Sequence, residues 1–375
     1  MSAIVKTPAF QQSTRNPFLC YDSVSTCDKP QTMRSLLDAF RVKRSSKAEW
    51  VRDFFTTPLV DLAAEDSRYT GIWTPEPELG AEKVGISEQF LANAEIYHHR
   101  YSHANYLVNL LEKAFESAGS ARQASPVVLD IGTGSGKNSL FPMLHLFPDA
   151  RFVATDLSPD LLAILQHYAV AQSLSDQIAC VCADAMKNYF MPASFDVATG
   201  IAILHHLLDP SLAIKAAFDA LKDDGIAVFY EPFEGFGLIT MAYERILEEA
   251  SSHSEAIDPL AIDLMRAMVT DINARRGTDK SDVRFRYMDD KWLFTRTYVE
   301  DVAAKIGYRS TKVIAQSTAA DAFRRHVERN LQTGRELGPD ALPGWAWHHI
   351  DKIDNSFSAE MKSDLVVSGV IILQK

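Results

Sequence analysis

VVLDIGTGSG, residues 127–136, is the stretch of sequence that decides the fold. Its first half is apolar around Asp130, as expected for a buried strand, and three glycines follow at alternate positions. Glycines at the end of a strand allow a tight turn before a helix, and they also let a ligand approach the main chain closely. By itself the stretch predicts a strand, a turn and a helix. It fits a loop that binds a nucleotide as well as one that only makes a tight turn.

Short apolar strands alternate with helices in the sequence that follows Pro126, which is typical of a parallel sheet covered by helices. Two of these helices begin with a capping side chain and a proline, at Ser158 and at Asp209. The predicted fold class is therefore α/β, with a mostly parallel sheet of seven strands. The sequence places these strands at residues 127–131, 151–155, 178–182, 195–199, 225–230, 311–315 and 365–373.

The chain divides into four segments that differ in the spacing of their apolar and charged residues. Residues 1–85 place apolar side chains at helical spacing and are predicted to form a helical N-terminal extension, followed by a ligand-binding core at residues 86–231. Residues 232–290 form a charged, helical insertion, and residues 291–375 are predicted to complete the core sheet. The insertion is rich in aromatic and methionine side chains, so it is a candidate lid over a substrate; an extra helical layer or the surface of a homodimer fits the same pattern.

Net charge and cysteine content limit the classes of partner and of bound metal that are expected. The formal net charge of -11 opposes nucleic acid or an anionic membrane as the main partner. The four cysteines form no CxxC pair, and His348 and His349 lack a convincing set of further ligands, so no disulfide and no metal site is predicted. The sequence shows neither a leader-like start nor an uninterrupted membrane span, so a cytoplasmic protein is expected.

An acidic residue, Asp156, stands at the end of the strand that follows the glycine loop. A carboxylate at this place can accept hydrogen bonds from both hydroxyls of a ribose, so loop and acid together predict an adenosine ligand. Nicotinamide and flavin enzymes share this arrangement, but their loops usually follow GxGxxG with glycine or alanine last. Here Lys137 follows Gly136 in a GxGxG pattern, which disfavours a dinucleotide.

With these motifs the sequence resembles the class I S-adenosylmethionine (SAM)-dependent methyltransferases, clearly over residues 87–230 and more loosely over residues 292–375. VVLDIGTGSG is similar to the family's first motif, ATDLSPDLL to its second, and CADA to the segment after the third strand. SFDVATGIAILHHLLDP and LKDDGIAVFYEP are similar to the fourth and fifth strands, although Asp223 and Asp224 replace the usual proline and glycine of a surface turn. The resemblance implies a Rossmann-like sheet with an antiparallel last strand and SAM as the cofactor.

The resemblance also implies roles for single residues around the methionine part of SAM. The loop amides would lie against that part of the cofactor, and Asp130 would orient the loop or bind the ammonium group. Tyr101, with Tyr97 and Arg100, stands where many members of the family cover the carboxylate end of SAM; as isolated residues the three fit helix packing and surface charge. The loop residues concerned are Gly132, Thr133, Gly134 and Gly136.

The adenosine part of SAM would be held by residues after the second, third and fourth of the predicted strands. By resemblance, Asp156 would bind the ribose and Leu157 would pack on the adenine. Asp184 and Ala185 would meet the other edge of the adenine, and Ile201 would close the opposite side.

Methyl transfer from a sulfonium is a direct displacement, so the enzyme mainly aligns the acceptor and excludes water, and no protein nucleophile is needed. A general base helps where the acceptor is a hydroxyl or a protonated amine. The candidates are His205, His206 and Glu231, at strand ends or loops that face the expected site. Both histidines also fit a purely structural role in shaping the loop before Asp209.

The acceptor is expected to be a small molecule, methylated on oxygen or nitrogen. Enzymes that methylate amines of nucleic acids or proteins often carry Asn-Pro-Pro-aromatic after the fourth strand, where this sequence has Thr-Gly-Ile-Ala at residues 199–202. Two alternatives remain open at this stage: a SAM-binding regulatory or scaffold protein without turnover, and a nicotinamide-dependent oxidoreductase.

Overall fold

The computed structural model describes residues 48–81, 94, 98, 106–119 and 125–375. Within these ranges the strands join one nine-stranded sheet in the order β1-β2-β5-β4-β3-β6-β7-β9-β8. The strands are β1 (Leu59–Asp61), β2 (Trp73–Pro75), β3 (Val127–Ile131), β4 (Arg151–Asp156), β5 (Ile178–Cys182), β6 (Phe195–Ile201), β7 (Leu221–Pro232), β8 (Ser310–Ala315) and β9 (Ser368–Gln374).

Strands β3 to β7 pair in parallel, and β9 runs antiparallel to both β7 and β8. This part of the sheet confirms the predicted Rossmann-like, mostly parallel core with an antiparallel last strand. β3 and β6 are neighbours although β4 and β5 lie between them in the sequence. The carboxyl ends of these two strands therefore border a crevice at a topological switch point, where open α/β sheets bind ligands.

The N-terminal extension differs from the prediction, because its described part adds two strands to the sheet. β1 and β2 form an antiparallel pair, and β2 lies parallel to β5. Residues Glu49–Phe54 form a short 3-10 helix in place of the predicted α-helix. Strands of three residues are too short to show alternation, and tertiary packing overrides local periodicity here: β2 is fully buried, and the Thr74 hydroxyl donates to the Cys182 carbonyl at 2.9 Å. Residues 1–47 lie outside the described part.

Helices cover the sheet, and two of them begin at the caps that the sequence predicts. The Ser158 hydroxyl accepts from the Leu161 amide, and the Asp209 carboxylate accepts from the Ser211 amide. The helices are α1 (Tyr106–Ala118), α2 (Leu140–Leu146), α3 (Pro159–Ala171), α4 (Pro210–Ala220), α5 (Gly237–Glu249), α6 (Pro259–Arg275), α7 (Arg296–Ile306), α8 (Ala322–Arg335), α9 (Gly344–Ser356) and α10 (Ala359–Asp364). Across these helices, none is both long and apolar enough to cross a bilayer.

Two of the hydrophobic clusters in the described part of the chain matter for the site. One packs on the sheet, and the other joins α5 and α6 of the insertion to α8 and α9, with Tyr243, Met265, Phe323 and Ile350 among its buried members. The insertion therefore belongs to a helical layer. The segment at residues 291–375 completes the sheet through β8 and β9, and it also supplies the other half of that layer.

Candidate cofactor and acceptor site

The loop after β3 depends on three glycines with positive φ: +67° at Gly132, +55° at Gly134 and +82° at Gly136. Side chains other than glycine are strained in this region. A Cβ added at Gly132 would lie 2.5 Å from Ile203, whereas one added at Gly134 would meet no described atom within 4 Å. Gly132 therefore packs against the loop after β6, and Gly134 faces open space.

Asp130 ends β3 beneath this loop and is fully buried. Its Oδ2 accepts hydrogen bonds from the Thr133 hydroxyl at 2.6 Å and the Ser139 hydroxyl at 2.7 Å. Burial raises the pKa of Asp130 to about 7 against the opposing effect of these two bonds. Oδ1 has no hydrogen-bond partner within the described part of the chain. The geometry thus fits a carboxyl group that orients the loop; Asp130 lies outside the lining of the cavities described below, so its role toward an ammonium group stays a prediction.

Asp156 bridges the glycine loop and the next helix. Its Oδ2 accepts from the Gly134 amide and its Oδ1 from the Ser158 amide, both at 2.8 Å. It lines a cavity between the glycine loop and the loop after β6, together with the other residues expected around adenosine. These residues are Leu157, Asp184, Ala185 and Ile201. Their roles toward adenine and ribose stay predictions, but folding brings all five into one cavity.

A larger cavity of about 510 Å³ adjoins the first one at the glycine loop. The two cavities share Gly134, Ile201 and His206 in their walls. The glycine loop and the loop after β6 form one side of the larger cavity, and the end of the insertion forms another, with Asp271, Met288, Asp289 and Asp290. A cofactor that spans both cavities would therefore present its reactive end to a space bounded by the insertion.

His205 and His206 both line the larger cavity, as the prediction of catalytic residues requires. His205 Nδ1 lies 2.6 Å from Glu231 Oε2, and its Nε2 lies 3.4 Å from Asp290 Oδ1. Burial favours the neutral imidazole, but the carboxylates of Glu231 and Asp290 outweigh it and raise the pKa of His205 to about 9. His206 Nδ1 lies 3.1 Å from Asp290 Oδ1.

Glu231 occupies a different place from the one expected of a base or a substrate ligand. It is fully buried, lies outside the lining of both cavities, and accepts from the Ile203 and Leu204 amides at 3.0 and 2.7 Å. Its strand, β7, pairs with β9 on one side and with β6 on the other, and the Glu231 side chain turns under the loop after β6 to the Ile203 and Leu204 amides. Glu231 therefore positions the loop after β6 and the His205 ring, and it does not reach the acceptor space.

Residues 288–292 tie the insertion to the loop after β6. The Lys291 ammonium donates to the carbonyls of His206 at 2.7 Å and Met288 at 2.6 Å, and the Lys291 amide donates to the His205 carbonyl at 2.7 Å. The Trp292 indole donates to the Leu207 carbonyl at 2.8 Å. Sequence reasoning missed Lys291 and Asp290, because a charged stretch far along the chain gives no local sign that it is buried against His205.

A further residue missed from the sequence is His98, which lines the larger cavity. Its Nδ1 lies 2.7 Å from the Ser135 hydroxyl of the glycine loop, and its Nε2 lies 3.1 Å from the Tyr168 hydroxyl. The ring-rich segment IYHHRY, residues 96–101, was the available signal. Tyr101, Tyr97 and Arg100 of that segment lie outside the described residues, so their predicted role toward the cofactor stays a prediction.

Comparison with known proteins agrees with this geometry. Residues 129–229 match the family model described as a methyltransferase domain. The ubiquinone biosynthesis O-methyltransferase of Idiomarina loihiensis is 30% identical over 102 residues, which are 27% of this chain and 40% of the relative. The release factor glutamine methyltransferase of Chlorobaculum tepidum is 39% identical over 87 residues, 22% of this chain and 29% of the relative. The chain thus spans less than half the length of these relatives.

Among solved structures, phosphoethanolamine N-methyltransferase 2 of Haemonchus contortus is similar at 15% identity and a TM-score of 0.44, over 76% of this chain and 56% of that one. The family match falls on β3 to β7, where the motifs and the two cavities lie. The match of residues 129–229 to a methyltransferase domain supports the resemblance to the class I SAM-dependent methyltransferases that the motifs predicted, with SAM as the cofactor.

Proposed function

We propose that this protein transfers the methyl group of SAM to an oxygen or nitrogen atom of a small molecule bound in the larger cavity. The observation that carries the proposal is the junction of the two cavities at Gly134 and Ile201. The first cavity gathers the residues expected around adenosine, and the second contains the two histidines. A cofactor in the first would place its sulfonium beside the second.

The chain's own residues would act by positioning. SAM supplies an activated methyl group when bound, so the protein has to hold the acceptor in line and exclude water. Asp156 would fix the ribose and Asp130 the ammonium group. His206, which lines both cavities, is placed to orient the acceptor or to take up its proton. Glu231 would fix the orientation of the His205 ring through its contact with Nδ1.

A small acceptor is favoured over a macromolecule for two reasons. The insertion bounds the larger cavity through Met288, Asp289 and Asp290, which suits a ligand enclosed by protein. The overall charge of -11 repels nucleic acid. The relatives include, by their names, one enzyme of ubiquinone biosynthesis and one that acts on a release factor, so the class of acceptor has to be measured.

The cofactor half of the proposal is tested by calorimetric titration with SAM and with its demethylated product. Asp156→Ala should weaken binding by about 10- to 100-fold, because it removes a carboxylate that also fixes the Gly134 amide. Asp149→Ala, which removes an exposed carboxylate at the far end of α2, is the matched control and should bind like the wild type. Tight binding of NAD in place of SAM would contradict the proposal.

The transfer half is tested with SAM that carries a radiolabelled methyl group. Incubation with a fractionated metabolite extract should label a small molecule, and the label should disappear with Asp156→Ala. Binding of the cofactor with no transfer to metabolites, protein or nucleic acid would favour the regulatory or scaffold alternative. Label in protein or nucleic acid alone would overturn the choice of a small acceptor.

A further inference from the structure

Three ligand-type atoms from two distant parts of the chain converge at the wall of the larger cavity. They belong to His205, His206 and Asp290, and one ligand atom from each of these residues lies within 4.8 Å of the other two. The two histidines follow β6, whereas Asp290 ends the insertion. All three residues line the cavity, so the point where their atoms meet has access to it.

The distances between these atoms suit a shared cation. Asp290 Oδ1 lies 3.4 Å from His205 Nε2 and 3.1 Å from His206 Nδ1. Ligands placed at about 2.0–2.2 Å from one metal ion are separated by roughly 2.9–3.5 Å in octahedral or tetrahedral geometry. Both separations between the carboxylate and an imidazole fall in that range, and the ligand atoms of the two imidazoles lie within 4.8 Å of each other.

The residues that contact His205 and Asp290 are arranged like the residues that support metal ligands in metalloproteins. Glu231 accepts backbone amides and lies 2.6 Å from His205 Nδ1, which leaves Nε2 of the ring directed at Asp290. A carboxylate that holds the far nitrogen of a metal-binding histidine is a common supporting contact. Arg275 Nη1 lies 3.2 Å from the other oxygen of Asp290, which fixes the carboxylate while leaving Oδ1 directed at the histidines.

Acidic side chains surround this point. Asp271, Asp289 and Asp290 line the cavity together with Lys137, and Glu231 and Asp290 pair with His205 and Arg275. His205 Nε2 and Asp290 Oδ1 are 3.4 Å apart, a separation that a proton or a metal ion between them can bridge. The competing contact is that of His206 Nδ1 with the Asp289 carbonyl at 3.0 Å.

We propose that His205, His206 and Asp290 bind one divalent transition-metal ion, with the open coordination positions facing the acceptor cavity. Two imidazoles and one carboxylate with open positions are a ligand set for zinc or ferrous iron, and such sites bind a substrate oxygen directly. The sequence predicted no metal site because Asp290 lies far from the histidines along the chain, and only the insertion brings it to them.

The role of the metal rests on the proposed function, in which His206 then orients the acceptor through the ion and does not take up its proton. An acceptor hydroxyl bound to the ion releases its proton to solvent, because the positive charge stabilises the oxyanion. The oxygen then forms a bond to the SAM methyl carbon as the carbon–sulfur bond breaks, and the electron pair of that bond neutralises the sulfonium. The products are a methyl ether, the demethylated cofactor and one proton, and the metal keeps its charge.

Metal binding by the full-length chain is tested without turnover. The protein is freed of metal by chelation, dialysed against Zn²⁺ and assayed for bound zinc, and a parallel titration with Co²⁺ records the visible absorption of the bound ion. We expect one equivalent of metal per chain. His206→Ala and Asp290→Asn should each weaken binding at least about 100-fold, and Glu231→Gln by about 10- to 100-fold, because it removes only the supporting carboxylate.

His348→Ala, which removes an exposed histidine of α9, is the matched control and should bind metal like the wild type. Circular dichroism checks the fold of each variant, and His206→Ala provides the test if Asp290→Asn fails to fold. Absence of one-to-one binding, or equal weakening by His348→Ala, overturns the metal site. Titration with the demethylated cofactor separates the two proposals: cofactor binding without metal binding leaves the methyltransferase standing, and the reverse leaves only the metal site.

Discussion

At the scale of single residues, burial decides the charge of Asp130. The carboxyl group ends a central strand, is fully buried and has only two hydroxyl donors, so its pKa rises from 3.8 to about 7. A group that binds its proton more tightly in the folded state than in the unfolded chain costs stability as pH rises between the two pKa values. The cost therefore grows from about pH 4 to pH 7, and it is fully present above pH 7.

Asp130→Asn should gain stability relative to the wild type as pH is raised from 5 to 8, because asparagine can accept the same two hydroxyl donors without ionising. The measurement is the thermal unfolding midpoint of both proteins across this range, without cofactor. Asp149→Asn, an exposed change, should show a constant difference from the wild type. A constant difference for Asp130→Asn as well would mean that this carboxyl group does not titrate between pH 5 and 8.

At the scale of elements, the glycine loop and the segment at residues 288–292 frame the cavities from opposite sides. Gly134 has a φ of +55° and faces open space, and so does Gly80, with a φ of +70°, which is outside the lining of both cavities. Substituting alanine at each of these two glycines therefore separates the cost of backbone strain from the cost of filling the space where the cofactor is proposed to bind.

Gly134→Ala and Gly80→Ala should lose similar stability, on the order of 1–2 kcal/mol, since each places a side chain in the left-handed region without a clash. Only Gly134→Ala should weaken SAM binding, by at least about 10-fold, because its methyl group projects into the space where the cofactor's main-chain contacts form. Thermal unfolding and calorimetric titration provide the two measurements. Equal SAM affinity in both variants would place the cofactor elsewhere.

Lys291→Met tests the tie between the insertion and the loop after β6. Methionine is of similar length but cannot donate, so the carbonyls of His206 and Met288 lose their partner at a cost of about 1–3 kcal/mol. Methyl transfer should fall at least about 10-fold because the histidines lose their placement, while SAM affinity stays within about 3-fold. The exposed Lys215→Met is the control. An equal fall of SAM affinity and transfer would show a general loss of the fold.

At the scale of the whole molecule, the helical layer has its own core beside that of the sheet. Within the insertion, α6 contributes Asp271 to the wall of the larger cavity, and residues 288–290, which follow α5 and α6 along the chain, contribute the rest. α8 and α9 pack on α5 and α6 through buried side chains such as Ile350. The layer therefore supports the larger cavity, where we propose that the acceptor binds, whereas the smaller cavity is built on β3 to β6.

Ile350→Ala should destabilise the helical layer by about 2–5 kcal/mol through the loss of buried contacts and the cavity left behind. Amide hydrogen exchange should become faster in α5, α6, α8 and α9 and stay slow in β3 to β6, with SAM affinity retained. Leu260→Ala on α6, a half-exposed side chain, should change exchange little. Faster exchange throughout the sheet would instead show that both cores unfold as one unit.

The sequence by itself predicted the core sheet, two helix caps and a set of residues that folding brings into the smaller cavity. Each of these depends on short-range signals: apolar runs bounded by turns, a capping side chain before a proline, and glycines or carboxylates at strand ends. Because the ends of parallel strands meet at one edge of a sheet, motifs that are separate along the chain, such as those at Asp156 and Asp184, could be assigned to one site from their positions at strand ends alone.

Only the tertiary structure decided the rest. The β1–β2 pair arises from an open sheet edge, the burial of Glu231 from the loop after β6 that folds over it, and the approach of Asp290 to His205 from the path of the insertion. In each case the partner is remote in sequence, so local pattern carries no information about it. The acceptor side of the site is of this second kind, which is why the sequence identified the cofactor and not the molecule to be methylated.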